Sequence, residues 1–394
     1  MSGFGHGDAM TGGTRIDCDM HFFESADTWA SYADPTERDR ALRLAPDELG
    51  YQWLMHGDRR LNLAEPHHPG DVDAMGAYRQ RRHQGLPPSV DYVEGTADFA
   101  DVKARLAHLD RTGFDAAVLF PNYGLLWERK LDGDFPSLLT NLTAWNRYAA
   151  DIRAEGSGRL HPVGHLSLRD PDWVEAQLAQ LSAAGIRLAF IAPAIVNGLP
   201  LSAPELDGIW AAFVDHGITP VFHVADQARA FDDAWFQDED DSTVSVLQSV
   251  FLWTPVALAL TDLILGGVLE RHPDLRLGIM ELSAPWVPLH LMMMDGGLDF
   301  ASRFEGADLS RLPMRPSEYF RRQVRVAAFS YERPDRLMRS AGDIFMACSD
   351  YPHAEGTTTP LEDYESTARL LPDEEPALFG GNVGYLLREP TSVG

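Results

Sequence analysis

From residue 101 onward the chain alternates between two patterns, and this alternation constrains the fold more than any other feature. Short apolar runs (AAVLFPN, RLHPVGHLSL, RLAFIAP, TPVFHVA, LRLGIME, QVRVAAFS and DIFMACSD) are separated by stretches with helical spacing near 137–154, 171–184, 203–216, 243–271, 285–299 and 333–341. Closing helices are expected near 361–371 and 376–387. Strands that alternate with helices in this way lie parallel and are covered on both faces. With RIDCDMHFF upstream the strands number eight, which favours a (β/α)8 barrel over an open doubly wound sheet.

The rhythm breaks once, between the first strand and the helix DVKARLAHLDRTG, where residues 24–100 intervene. That segment is rich in charge, Gly, Pro and aromatics (YQWLMHGDRR, EPHHPGD, QRRHQGLPPSV), so it is expected to be an insertion lying over the barrel mouth and shaping a pocket. Residues 1–14 are Gly-rich, with neither a basic nor an apolar signal region, and read as a flexible leader. Residues 15–394 then form a single domain, which the 45% hydrophobic content is enough to fill.

A formal net charge of −26 repels nucleic acid and anionic membrane surfaces. Cys18 and Cys348 are the only cysteines, too few for a secreted disulfide framework, so a reducing cytoplasmic compartment is expected. The longest apolar stretch, TPVALALTDLILGGVL, is interrupted by Asp262 and is shorter than the roughly 20 residues that span a bilayer, so no transmembrane helix is expected.

Polar residues stand at the ends of several of these strands. In IDCDMHFFE, strict alternation puts Asp17, Asp19 and His21 on one face and Cys18, Met20 and Phe22 on the other. Burying three such groups is costly unless a cation or a reaction uses them. Corresponding strand ends offer His223 (TPVFHVADQ), Glu281 (LRLGIMELSAPW) and Asp350 (DIFMACSDYPH). A lone Asp or His in an apolar strand is ordinarily a satisfied core or capping group. Asp19, His21, His223, Glu281 and Asp350 at matching ends of four strands instead fit one catalytic metal site. His353, Asn122 and Tyr123 follow strand ends and are candidates for touching substrate. His165 stands alone and His161 suits core or surface, while His56, His67 and His68 show no metal-like spacing with a partner. The acidic run FQDEDD reads as a solvated loop, and the helical MMMD (292–295) as core.

Taken together, IDCDMHFFE, GIRLAFIAPAIVNGLPLSAPELDGIWAAFVDHGITPVFHV, HPDLRLGIMELSAPWVP, SDYPHAEG and GGNVGYLL resemble the amidohydrolase-related proteins of the aminocarboxymuconate-semialdehyde decarboxylase type. The resemblance covers most of the chain outside residues 24–100. It implies a distorted TIM barrel holding one divalent ion, zinc first and manganese as the alternative. Its ligands would be Asp19 and His21 from the first-strand [HED]-x-H pair, His223 from strand 5 and Asp350 from strand 8. Asp19 stands where many members have His, which adds negative charge and favours a harder ion. Glu281 stands where decarboxylating members have a histidine, and it cannot supply an imidazolium.

These residues lead to an expected metal-dependent hydrolase of a small organic substrate, with Asp350 as general base and Glu281 orienting water or substrate. The rival reading is a non-oxidative decarboxylase, in which Asp350 protonates carbon. A third, a dead barrel used for binding, leaves the buried polar set without a purpose. A homodimer or larger homo-oligomer is expected from the resemblance.

Overall fold

The computed structural model describes residues 13–388 apart from 90–94, 126, 226–230, 232, 237–245 and 306–311. The leader lies mostly outside the described residues, as does most of FQDEDD. In chain order the strands are β1 (Ile16–Phe22), β2 (Arg43–Pro46), β3 (Gln52–His56), β4 (Arg59–Leu63), β5 (Ala116–Pro121), β6 (Leu160–Pro162), β7 (Gly164–His165), β8 (Leu188–Phe190), β9 (Thr219–Phe222), β10 (Leu277–Ile279), β11 (Val324–Ala328) and β12 (Phe345–Ala347). Every apolar run expected as a strand is therefore extended, with RLHPVGHLSL supplying both β6 and β7.

The fold is mixed α/β with two parallel sheets, one in the order β1-β5-β6 and the other β12-β11-β10-β9-β8-β7. Val163 alone separates β6 from β7, and its N–H donates to the Leu119 carbonyl at 2.9 Å. At the other edges β1 runs beside the segment following β12. Asp350 N–H donates to Asp19 O at 2.9 Å and His21 N–H to Tyr351 O at 2.8 Å.

Alternate residues of the two sheets enter different cores. Cys18, Val118, Phe120, Phe190, Val221 and Met346 share an inner cluster, closed from one end by Val383 and Leu386 of the helix Asn382–Leu387. Leu119, Ala189, Phe222, Ile279, Val326 and Phe345 face outward into a larger cluster against the surrounding helices. Those helices start where side-chain acceptors are available: Asp101, Asp134 and Asp170 each accept from a backbone N–H of the first turn.

Two expectations about helices change. The region 243–271 is three helices, Val246–Val250, Thr254–Leu265 and Val268–Arg271, because Pro255 opens the second and Gly267, at φ +77°, breaks before the third. Val246–Leu265 is long and apolar enough to cross a membrane by length and composition, and a third of its most apolar window is buried against the protein. The MMMD segment is not simply core: Met294 is buried, whereas Met292 and Met293 are exposed on the opposite side of their helix.

The insertion folds into the helix Thr28–Tyr32, an antiparallel sheet β2-β3-β4 and the helix Val72–His83. It reaches the turn after β12, where Gly70 N–H donates to Ala354 O at 3.1 Å.

Candidate metal centre

The C-terminal ends of β1, β9, β10 and β12 bring five side chains to one point. His21 Nε2 lies 3.7 Å from Asp19 Oδ1, 3.8 Å from Glu281 Oε2 and 3.2 Å from Asp350 Oδ1. His223 Nε2 lies 3.3 Å from Asp19 Oδ1 and 3.2 Å from Glu281 Oε2. Donor atoms bound about 2.1 Å from a common ion sit about 3.0–3.4 Å apart, so the spacing suits a metal. The imidazoles are oriented from behind. His21 Nδ1 faces the Pro121 carbonyl at 2.9 Å and His223 Nδ1 the Val224 carbonyl at 2.7 Å, so each Nδ1 donates and each Nε2 is left for the centre.

The fit to a cation rests on atoms the protein does not otherwise satisfy. Asp19 Oδ2, His21 Nε2, Glu281 Oε2 and both Asp350 carboxylate oxygens are buried and have no well-formed hydrogen bond among the described residues. Their near neighbours are one another and the ring nitrogens of His223 and His353, and crowding three carboxylates together in this way is costly without a positive charge between them. Electrostatics agree. Burial, then the Asp350, Glu355 and Asp19 charges, push the Glu281 carboxyl well above its ordinary range. Burial raises Asp350 to about 7 against the pull of His353. Burial and neighbouring His353 and His223 push His21 well down, which keeps it a neutral donor. Three carboxylate and two imidazole donors form a set suited to an oxygen-seeking divalent ion.

Asp17 does not join them. The β1–β5 register shifts between Asp17 and Met20, so alternation fails across the bulge. Cys18 packs into the inner core, Met20 and Phe22 into the outer one, and the Asp17 carboxylate accepts from Ser349 N–H and Asp19 N–H, both at 3.1 Å. Glu24, the last polar residue of that motif, turns away too. It accepts from the N–H groups of Tyr123 and Gly124, both at 2.9 Å, and so ties β1 to the turn after β5.

Around the five residues lies a row of polar rings. His353 stacks on His21 at 3.7 Å between centroids, and its Nδ1 is 2.9 Å from Asp350 Oδ1. Its Nε2 faces Asn122 Oδ1 at 3.2 Å, and Asn122 Nδ2 faces His67 Nε2 at 3.4 Å. His67 comes from the insertion and stacks on His353 at 5.0 Å. Sequence reasoning missed it because its neighbours are distant in the chain; only the expectation that the insertion covers the mouth pointed its way. Tyr123 is not brought to this row: its ring packs edge-on against Phe23 at 5.2 Å. His165, at the end of β7, is not alone, since its Nε2 meets Glu128 Oε2 at 3.3 Å; Phe190, 4.5 Å from its ring, lies between it and His223.

No protein-family model and no curated protein matches the chain. Solved structures do. An amidohydrolase from Mycobacterium avium subsp. paratuberculosis K-10 superposes with TM-score 0.76 at 22% identity over 95% of this chain and 99% of that one. A 5-carboxyvanillate decarboxylase from Novosphingobium aromaticivorans, complexed with manganese and 4-hydroxy-3-methoxy-5-nitrobenzoic acid, gives 0.65 at 18% over 95% and 96%. A dihydroxybenzoic acid decarboxylase from Polaromonas sp. JS666, with manganese and 2-nitroresorcinol, gives 0.59 at 12% over 95% and 97%. The chain thus has the fold of these amidohydrolase and decarboxylase structures along nearly its whole length.

Proposed function

We propose that this chain is a metal-dependent hydrolase of a small organic substrate, built on a distorted (β/α)8 barrel whose two parallel sheets meet at Val163 and beside Asp350. The observation that carries the reading is the convergence of Asp19, His21, His223, Glu281 and Asp350, with unsatisfied buried donor atoms, at the C-terminal strand ends. Asp19, His21, His223 and Asp350 would hold one divalent ion, joined by Glu281. Such an ion polarises a carbonyl and lowers the pKa of a bound water toward neutrality. Manganese suits three carboxylates better than zinc does, and the manganese in two solved structures of the same fold supports that choice.

Asp350 accepts the proton of the attacking water and returns it to the leaving group, while His353, 2.9 Å away, steadies its carboxylate. Asn122 and His67 present polar atoms to the substrate beside His353. The decarboxylase reading keeps one observation in its favour, the fold shared with two decarboxylases that act on aromatic acids. Against it stands charge: three ionised carboxylates exceed the charge of one divalent ion by one, so an anionic substrate would meet a centre that is still net negative.

The test is a panel of amides, lactones, β-diketone-like compounds and hydroxybenzoates, assayed with manganese-loaded protein for new carboxylate and for released CO₂. Hydrolysis is expected, and Asp350→Asn should lower it by about 10²–10⁴. Stoichiometric CO₂ with no hydrolysis transfers the assignment to the decarboxylase. Elemental analysis provides the second arm: near-stoichiometric metal in wild type, most of it lost in His223→Ala. Full turnover by metal-free protein overturns both readings.

A further inference from the structure

The end of the parallel sheets opposite the metal centre gathers positive charge that the fold does not pair. Arg187 and Arg276 immediately precede β8 and β10, and Arg325 is the second residue of β11. Arg388 follows the helix Asn382–Leu387, which closes this end. His223, Glu281 and Asp350 stand past the other ends of their strands, so the two groups are kept apart by the strands themselves.

Tyr385 on the closing helix is the common neighbour. The guanidinium carbons of Arg276 and Arg325 each lie 4.2 Å from its ring centroid. Its hydroxyl donates to the Arg322 carbonyl at 2.9 Å, which fixes the ring. The arginines spend their printed hydrogen bonds on neutral acceptors. Arg276 donates to the Tyr385 carbonyl, Arg325 Nε to Asn382 Oδ1 at 2.7 Å, Arg388 Nη2 to the Asp274 carbonyl at 3.0 Å, and Arg187 Nη1 to the Ser182 carbonyl at 3.3 Å. Elsewhere arginines meet carboxylates, as Arg147 does Asp34 at 3.1 Å, Arg159 does Asp110 at 2.8 Å and Arg315 does Asp299 at 2.7 Å. Among the described residues none of these four does. In a chain with 59 acidic residues against 33 basic ones, four clustered cations without an acidic partner call for a reason.

The cations also act on one another. All four are half-buried. Burial draws the Arg325 pKa down against the pull of Tyr385, and the Arg276 charge adds to the shift. Burial, then the Arg276 charge, draws Arg388 down; Tyr385 and Asp274 oppose this without reversing it, and Arg187 adds to it. Arg388 Nε is sealed from solvent with no hydrogen-bond partner among the described residues. Like charges held together beside an unmet donor are costly unless an anion joins them.

The chemistry of the cluster selects the anion. Planar guanidinium forks match the oxygens of phosphate groups, often two at a time. An extended polyanion would be repelled by the rest of a chain of charge −26, so the occupant has to be compact, with its charge concentrated at the patch.

We propose that Arg187, Arg276, Arg325 and Arg388 form a binding site for a compact multivalent oxyanion of the phosphate class, at the end of the fold opposite the metal centre. The proposal stands apart from the metal and from the reaction assigned to it.

Isothermal titration calorimetry of the full chain, at fixed ionic strength in chloride, tests it with inorganic phosphate and with glucose 6-phosphate. One site per chain is expected, and Arg276→Gln and Arg388→Gln should each weaken it by about 10-fold or more. His223→Ala, which removes a metal ligand, should bind as wild type does, because the metal centre is not the site. Tighter binding of the ester makes an organic phosphate the occupant, and tighter or equal binding of the free ion makes it inorganic phosphate; either result supports the site. Thermal melts give a second readout. Phosphate should raise the wild-type Tm above its value in sodium chloride of equal ionic strength, and should do so far less in the two arginine variants. Arginines that only brace the fold would lower the Tm when replaced and leave phosphate without a specific effect on wild type. Absence of binding by wild type to both probes, binding that disappears in His223→Ala, or phosphate stabilisation that is equal in wild type and the arginine variants overturns the proposal.

Discussion

Two of the carboxylates at the centre stand on backbone that non-glycine residues seldom adopt: Glu281 has φ +50° and Asp350 φ +56°. Such conformations cost on the order of 1 kcal/mol each and persist where the surroundings impose them, commonly at working sites. Burial and like charge add to that strain, since Glu281 is raised well above its ordinary range and Asp350 to about 7. Carboxyls raised in the folded state bind more protons than the unfolded chain does, so metal-free protein should lose stability as pH rises from about 4 through 7. Glu281→Gln removes one of the charges. In chelator at pH 8 its Tm should exceed that of wild type by on the order of 2 °C, the gap closing toward pH 5, and with manganese the order should reverse. A variant less stable in chelator would show that Glu281 is not under electrostatic strain. At this scale the convergence of Asp19, His21, His223, Glu281 and Asp350 was legible, because each lies in or just after an apolar strand-like run. Asp17 was misplaced, because a bulge leaves no mark on a two-residue period.

The element that presents His21 and Asp19 is held from behind by the helix Val102–Thr112. Arg105 on that helix is wholly buried: Nη2 donates to the His21 carbonyl and Nε to the Asp98 carbonyl, each at 2.8 Å. Its guanidinium lies 5.2 Å from the Tyr351 ring and 5.7 Å from Phe22, so one side chain braces β1 and the turn carrying Asp350. Burial lowers its pKa to about 10, which leaves it charged at neutral pH. Arg105→Lys cannot reproduce the planar fork and leaves a buried carbonyl unmet. We expect a loss of about 3 kcal/mol, read as a shifted urea midpoint, together with weaker manganese retention measured by dialysis against chelator. An unchanged midpoint would mean that β1 is positioned by its strand partners alone. The strands themselves were legible from apolar runs and turn residues. Arg105 was not, because a basic residue in an amphipathic helix carries no sign of which face is covered. The three-way split of 243–271 was equally hidden, since uniform apolarity masks breaks at Pro255 and Gly267.

Over the whole molecule, the βα rhythm was readable because each unit is local, whereas the meeting of His67 with Asn122 and His353 depends on how a long insertion lies, which no periodicity encodes. Charge is the other global property. With 59 acidic against 33 basic residues, the folded chain concentrates a charge of −26 that the unfolded chain spreads out, and this self-repulsion opposes compaction. Screening should relieve it, as the Debye length falls from about 10 Å at 0.1 M salt to about 3 Å at 1 M. We therefore expect the Tm of chelated protein at pH 8 to climb by several degrees between low salt and 0.5 M-range sodium chloride, and choline chloride to do the same, because the effect needs ionic strength rather than a bound sodium ion. A Tm that is flat or falls with salt would mean that local ion pairs, such as Arg159 with Asp110 and Arg147 with Asp34, outweigh the net charge, because screening weakens those attractions as it weakens the repulsion.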